Sequence, residues 1–475
     1  MAVQVPLTLL VPAAIVLAGL VAALLADAFE QRSIALWLLV ASLLGAALTA
    51  VVMNLDASMV ASPVFTASGG AVVIGGLGYL LTAVAIAAGH RRFAGRARGV
   101  PMAALMALGA LFAAALAATV DLLVFVVSLS GMAVVAYALV AGAGTRRAEE
   151  SAVRYFIQGM VASALTVIGV AYLLGAGSGL TGYDAVLSGV GVGEGRAVLM
   201  ALGLVTAVLA FKVGAFPFHS WVPDAYETAD PPVAAYLGAV PKIAGVVALT
   251  VVTRVTLFEA VDPAATTAVL TVLAVGSLLF GAFGMVRQRA VGRMLGYSAI
   301  AQVGYALTAL AAGAGGIDAA VVHIVMYALA ASAAFVGLEA VLRVRPEWDG
   351  SLEGLRGLSR EAPLLAASLG VVMLSLTGVP LLAGFWGKFA VLTAAVEADM
   401  VWLALLAGVA AVVSFGGYGS VVRSLYFDEA PETPAERRSG GLPAWVAGLL
   451  AVVLIVLGML PLARGLDPLF AALGL

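Results

Sequence analysis

Apolar runs of about twenty residues, repeated from one end of the chain to the other, decide what this sequence can fold into. They occupy 6–26, 33–53, 69–89, 101–119, 122–143, 155–176, 197–218, 232–252, 264–286, 291–313, 317–341, 363–393, 400–426 and 442–463. A run of that length crosses the hydrocarbon core of a bilayer as an α-helix, and inside hydrocarbon each backbone amide must find its partner within the segment. The expected fold is therefore all-α and integral to the membrane, with fourteen transmembrane helices. At 63% hydrophobic and 11% charged, the 475 residues carry too little polar surface for a soluble domain. The longest polar connections, 343–362 and 427–441, are too short to fold alone, so the chain reads as one polytopic domain, 1–475. No basic segment precedes the first run, which is expected to be a span and not a cleaved signal.

The arginines orient these spans. Counting connections from the N-terminus, the odd-numbered ones carry eighteen of the 21 arginines, and only Arg196, Arg254 and Arg464 lie in the even-numbered ones and the tail. The positive-inside rule puts the odd connections in the cytoplasm and both termini on the other side. One miscounted span would scramble this asymmetry.

Several function classes drop out. There is no cysteine, which removes disulfides, thiolate-held iron–sulfur clusters and cysteine catalysis from this chain. Three histidines (His90, His219 and His323) make a multi-histidine metal site improbable. A net charge of −2 gives no nucleic-acid signal. Glycine-rich stretches such as Gly313–Gly316 are better read as packing or loops than as a cofactor fingerprint.

The chemistry concentrates on lysine. The chain has three, Lys212, Lys242 and Lys388, and all lie in apolar segments. A charged side chain at the bilayer centre costs at least ~2.5–3.5 kcal/mol, so such a residue is a functional candidate by default. Lysine sheds its proton when desolvated, whereas arginine keeps its own. Lys212 precedes Pro217 in the seventh span, where the missing amide hydrogen should break the helix. Lys242 sits about ten residues from either end of the eighth. Lys388 follows Gly378 and Pro380 in the twelfth, which is long enough to be broken or tilted. Two proline- and glycine-interrupted spans, five spans apart, are the trace of an inverted repeat with ion sites at the breaks. Spans 4–8 (99–253) and 9–13 (264–427) would be the two units, with 1–98 holding spans 1–3 and 442–475 the last span and tail. His323 in span 11 and His219 beside the first break are candidate relays. Tyr297, Ser298, Gln302 and Tyr305 line span 10 with hydroxyls and an amide, for a water chain or for helix contacts. Asp121, Asp318 and Glu339 lie towards span ends.

These clusters resemble the antiporter-like subunits of respiratory complex I, a family that includes the Mrp-type cation/proton antiporter subunits. Phe211-Lys212 through Pro217-Phe218-His219-Ser220-Trp221-Val222-Pro223-Asp224-Ala225-Tyr226 is similar to the "FK…PFHxWxPDxY" segment of the N subunit. Pro232–Leu237 with Pro241-Lys242-Ile243-Ala244, Met294–Tyr305, and Gly378-Val379-Pro380 through Gly384-Phe385-Trp386-Gly387-Lys388-Phe389 resemble its further motifs. The resemblance implies a bacterial-type inner membrane and partner subunits of the M, K, L, J, H and A types. FMN, iron–sulfur clusters and quinone belong to partners, with no cofactor and no metal in this chain. It implies that Lys212 loads protons in a first half-channel, that Lys242 lies on a central polar axis, and that Lys388 ends a second half-channel. Lysine at 388, where the M type has glutamate, favours N. The L type's long lateral C-terminal helix has no counterpart within the twelve residues after the last span.

Two positions depart from the pattern. The family's fifth-span glutamate, partner of the seventh-span lysine, falls at Ser130, and its sixth-span lysine at Arg154. His323 looks more like the M or Mrp type. The readings that stay open are a redox-driven proton-translocating subunit, an Mrp-type antiporter subunit, a non-pumping member of a membrane arm, and a membrane-bound hydrogenase arm.

Overall fold

The computed structural model describes residues 7–55, 69–176, 181–183, 195–255, 263–429 and 439–464. These form α1 (Leu7–Ala28), α2 (Arg32–Leu55), α3 (Gly69–Ala94), α4 (Gly99–Ala118), α5 (Leu122–Ala141), α6 (Arg146–Ala176), α7 (Gly195–Val213), α8 (Trp221–Thr228) and α9 (Pro231–Val255). They continue with α10 (Pro263–Val286), α11 (Val291–Ala311), α12 (Ile317–Val344), the single turn α13 (Leu358–Glu361), α14 (Pro363–Thr377), α15 (Ala383–Glu397), α16 (Val401–Tyr426) and α17 (Gly441–Arg464). Among the described residues twelve helices are long and apolar enough to cross a membrane, and no strand is present. Two shorter apolar helices, within α7 and at α14, stand where the sequence places its interrupted seventh and twelfth spans.

Burial sorts the helices into centre and perimeter. The apolar window of α12 is wholly buried, that of α11 is 94% buried and that of α9 89%, against 22% for α1 and 33% for α6. The three central helices are the ones that carry Lys242, the polar face of span 10 and His323. Perimeter helices keep large aliphatic side chains outward, such as Val127 and Val134 on α5 and Val412 on α16. Lipid is as apolar as leucine, so helices in a membrane gain little by hiding such residues and depend on close backbone approach instead. Gly292 and Gly296, one turn apart on α11, supply it. A Cβ on Gly292 would fall 2.8 Å from the Tyr226 carbonyl oxygen, and one on Gly296 2.6 Å from Pro223 Cα. The short helix α8 is thereby seated directly on α11.

Charged groups gather at helix ends, where they pair. Arg92 of α3 bonds Glu339 of α12 at 2.7 Å and Asp230, just ahead of α9, at 3.3 Å. Arg96 also reaches Asp230, and Arg343 lies 3.7 Å from Glu339. In a second cluster Asp224 accepts from Arg154 at 3.3 Å and from Arg293 at 2.5 Å, with Glu227 3.0 Å from Arg293. Asp230 and Glu339 are buried, and buried carboxylates need such partners. Asp121 caps α5, accepting from the amides of Leu123 and Val124. Every group in the two arginine clusters comes from an odd-numbered connection or the helix end beside one.

Candidate functional site

The site is built on two helix breaks of the same local design. At the first, Gly214 takes φ 74°, its amide donates to the Phe211 carbonyl at 3.0 Å, and the Ala215 amide reaches back to Ala210 at 2.7 Å. At the second, Gly378 takes φ 92°, its amide donates to Ser375 at 3.0 Å, and the Val379 amide reaches Leu374 at 3.1 Å. This nested pair of bonds around a left-handed glycine is a standard way of ending a helix. Glycine, and not the proline expected from the sequence, is therefore what ends each helix. Pro217 and Pro380 follow outside it and keep the chain from resuming, with the Phe216–Pro217 peptide cis.

This design leaves the last carbonyls of each helix without backbone partners, at the negative end of the helix dipole. A lysine takes them in both places. The Lys242 ammonium, from the middle of α9, donates to the Val213 carbonyl and lies 5.3 Å from the Trp221 ring and 5.9 Å from that of Tyr226. Lys388, from α15, donates to Leu376 at 2.9 Å and Thr377 at 2.8 Å, and lies 4.8 Å from the Tyr305 ring. Carbonyls and aromatic faces stabilise an ammonium group without fixing it as an ion pair would. Lys212, in the last turn of α7, is different: its Nζ is buried and makes no hydrogen bond.

Lys388 opens on a small cavity of about 10 Å³, lined by the polar side chains of Gln302, His323, Tyr327 and Ser375 and by Met326, Ala330 and Leu376. That is about the space one water molecule needs, with polar partners on several sides. His323 Nε2 lies 3.1 Å from the Gln302 carbonyl, while its Nδ1 is buried without a partner. The Gln302 amide donates to Leu376 at 3.0 Å and to the Tyr418 hydroxyl at 3.1 Å, and Ser298 Oγ lies 2.6 Å from that same hydroxyl. Tyr305 donates to the Ala407 carbonyl at 2.9 Å.

The remaining sequence candidates lie apart from these lysines. Tyr297 of α11 lies with its ring against Gly284 of α10. His219 is half-buried at the first break, stacked on Phe216 and beside Phe280. Arg154 reaches out to Asp224 and is mostly exposed. Ser130 lies half-buried on α5. Sequence reasoning missed Trp221 and Tyr226, which face Lys242, Tyr327, which lines the cavity, and Tyr418, whose hydroxyl accepts from Gln302. Two of them had a signal: Tyr327 stands one turn after His323 in an otherwise apolar stretch, and Tyr418 is a lone phenol deep in span 13.

Geometry of this kind defines a polytopic helical membrane protein with lysine-capped breaks at its centre. The chain belongs to the NADH:quinone oxidoreductase/Mrp antiporter transmembrane family, whose pattern matches residues 119–414. It is 38% identical over 320 residues to the NADH-quinone oxidoreductase subunit N of Laribacter hongkongensis, a stretch that makes up 66% of this chain and 65% of that relative. A chain of respiratory complex I from Thermus thermophilus superposes with a TM-score of 0.80 at 29% identity, covering 97% of this chain and 99% of that one. A chain of the Mrp complex from Dietzia sp. shares the fold, with a TM-score of 0.82 at 22% identity, covering 99% of this chain and 97% of its own.

Proposed function

We propose that this chain is the N-type, proton-translocating subunit of a complex-I-like NADH:quinone oxidoreductase. In this reading the chain has fourteen spans, ten of which form two inverted five-helix units, 99–253 and 264–427. Both termini lie on the non-cytoplasmic side of a bacterial-type inner membrane. M-, K-, L-, J-, H- and A-type subunits stand alongside, and FMN, iron–sulfur clusters and quinone are held by partners. Protons pass between Lys212, Lys242 and Lys388, and the chain itself does no redox chemistry. The observation that carries the reading is the pair of capped breaks: two buried ammonium groups rest on helix-end carbonyls, one of them beside a small cavity. A buried lysine held this way can give up its proton without leaving an acid unpaired. The gathering of odd-numbered connections into two ion-pair clusters supports the sidedness. His323 serves as a neutral relay in the cavity, while His219 at the rim has the weaker claim.

Lys212 favours a second reading for the first half alone. Its Nζ has no partner, and the position of the expected glutamate is Ser130. That half is then retuned or silent while the second half works. An Mrp-type antiporter subunit is the competing reading of the whole chain. Tagging the chain, extracting it in mild detergent and identifying what co-purifies separates them. Flavin and iron–sulfur subunits with NADH-driven quinone reduction support the oxidoreductase. A set of antiporter-like subunits alone, with sodium-dependent activity and no electron flow, replaces it.

A further inference from the structure

The last helix holds the second break from outside. At Gly458 of α17 a Cβ would fall 2.2 Å from the Leu381 carbonyl oxygen and 2.4 Å from Leu382 Cα, so the backbone of the break rests directly on this glycine. Trp386, in the first turn of α15, donates its indole N–H to the Gly458 carbonyl at 2.7 Å. Leu381 takes φ 74° at the point of contact, a conformation that a leucine keeps only where its surroundings hold it. The first break is held in a comparable way. The Phe216 amide donates to Ser277 Oγ of α10 at 2.9 Å, and the Phe216 ring lies against Gly276. In the reading above, α10 follows the first five-helix unit as α17 follows the second.

We propose that Trp386 and Gly458 are positioning residues for Lys388, which makes α17 a working part of the second half; the inference rests on the proton-translocating reading above. In lipid a perimeter helix gains little by burying aliphatic side chains, and Leu449, Val452 and Val456 of α17 face outward. What α17 gives instead is one close backbone seat and one indole bond, both on the segment between Gly378 and Lys388. Trp386 and Lys388 stand two positions apart, about 200° around a helix, so they leave α15 on opposite sides. One side is tied to α17, and the other carries the ammonium to the Leu376 and Thr377 carbonyls. Hydrogen bonds weaken steeply as their geometry departs from ideal. The turn of α15 about its own axis therefore decides whether Lys388 meets both carbonyls, and the indole bond fixes that turn.

The test is Trp386→Phe in the complete complex, reconstituted in proteoliposomes, with Lys388→Met measured beside it. Phenylalanine keeps a ring and removes the N–H. Proton yield per electron pair, the pH profile of that yield and the thermal midpoint are read together. The expected result is an assembled complex that still transfers electrons, with a proton yield that falls towards that of Lys388→Met and a pH profile displaced from wild type. The double variant should fall no further than Lys388→Met alone. Wild-type yield and profile in Trp386→Phe, whatever its midpoint, overturn the proposal and leave the contact as a tie that keeps α17 in place. A further fall in the double variant also overturns it, because Trp386 then acts by a route other than Lys388. Wild-type yield in Lys388→Met overturns the underlying reading instead. Gly458→Ala, whose methyl would meet the backbone of Leu381 and Leu382, carries the same expectation; if it fails to assemble, Trp386→Phe decides.

Discussion

The two helix breaks end alike and are capped differently. Gly214 and Gly378 occupy the same place in the same hydrogen-bond pattern, each followed by a proline. The lysine that covers the first break comes from another helix, α9. The one that covers the second comes from the continuation of the broken helix itself, ten residues past the glycine. Counting from the glycines, Lys212 corresponds to Leu376 and Lys388 to Asp224. The backbone device is thus duplicated and the placement of the lysines is not. The second break holds its lysine on two carbonyls beside a small cavity. The first leaves Lys212 unbonded and sends its capping lysine to a single carbonyl. A conserved backbone solution with different side chains lets one half be tuned without the other.

The sharpest way to break this comparison is on transport. If the two caps share one path, as proposed, Met at 388 or 242 should lower proton yield to one common level. Met at 212 should lower it less, since that amine bonds nothing. Proton uptake per electron pair in proteoliposomes measures all three. Next comes the backbone. Alanine at Gly214 must adopt φ 74° and place a Cβ 2.3 Å from Val222 Cγ2 and 2.9 Å from Lys242 Nζ. Alanine at Gly378 comes nearest to Lys388, its Cδ at 3.0 Å and its Cε and Nζ at 3.7 Å. The left-handed conformation costs roughly 1–2 kcal/mol in either place, and steric overlap adds to the first. Gly214→Ala should therefore lower the thermal midpoint of the purified complex more than Gly378→Ala.

A third contrast concerns stability and the lysines themselves. Lys388→Met takes the lysine donor from the Thr377 carbonyl and leaves the Leu376 carbonyl to Gln302 alone, at a cost of about 1–3 kcal/mol. Lys212→Met removes a buried amine that has no partner, and should leave the midpoint unchanged or raise it. A lower midpoint for Lys212→Met would mean that the first break is held by that amine after all. The smallest effect is at Leu381, which takes φ 74° beside the second break and has no counterpart of its kind at the first. Leu381→Gly should relieve on the order of 1 kcal/mol of strain, visible as a modest rise in midpoint.

Much of this was legible in the sequence because the membrane imposes a simple code. Most runs placed their helices to within a few residues, though α6 begins nine residues ahead of the run 155–176, and Lys242 stood out because about ten residues of span flank it on either side. The breaks were legible too, but prolines drew attention from the glycines that make them. Gly214 and Gly378 are two among 55 glycines, and the positive φ that marks them, shared with five others among the described residues, is a fact of the structure alone. The polar side of α11 was half legible: Ser298, Gln302 and Tyr305 bond at the second break or beside it, while Tyr297, though its spacing allows the same broad face, packs against Gly284 of α10. Trp221 and Tyr226 were hidden for another reason. They face Lys242 only because α8 folds back after the break, a tertiary fact that no local pattern contains.

The central claim is that ammonium groups resting on broken-helix carbonyls are the proton-carrying groups of this chain. The most direct test is Lys388→Met in the intact complex, with electron transfer and proton translocation recorded in the same proteoliposomes. The account predicts electron transfer near the wild-type rate with fewer protons moved per electron pair. An unchanged proton yield at an unchanged electron rate would contradict it, and would make the lysine cap a purely structural device.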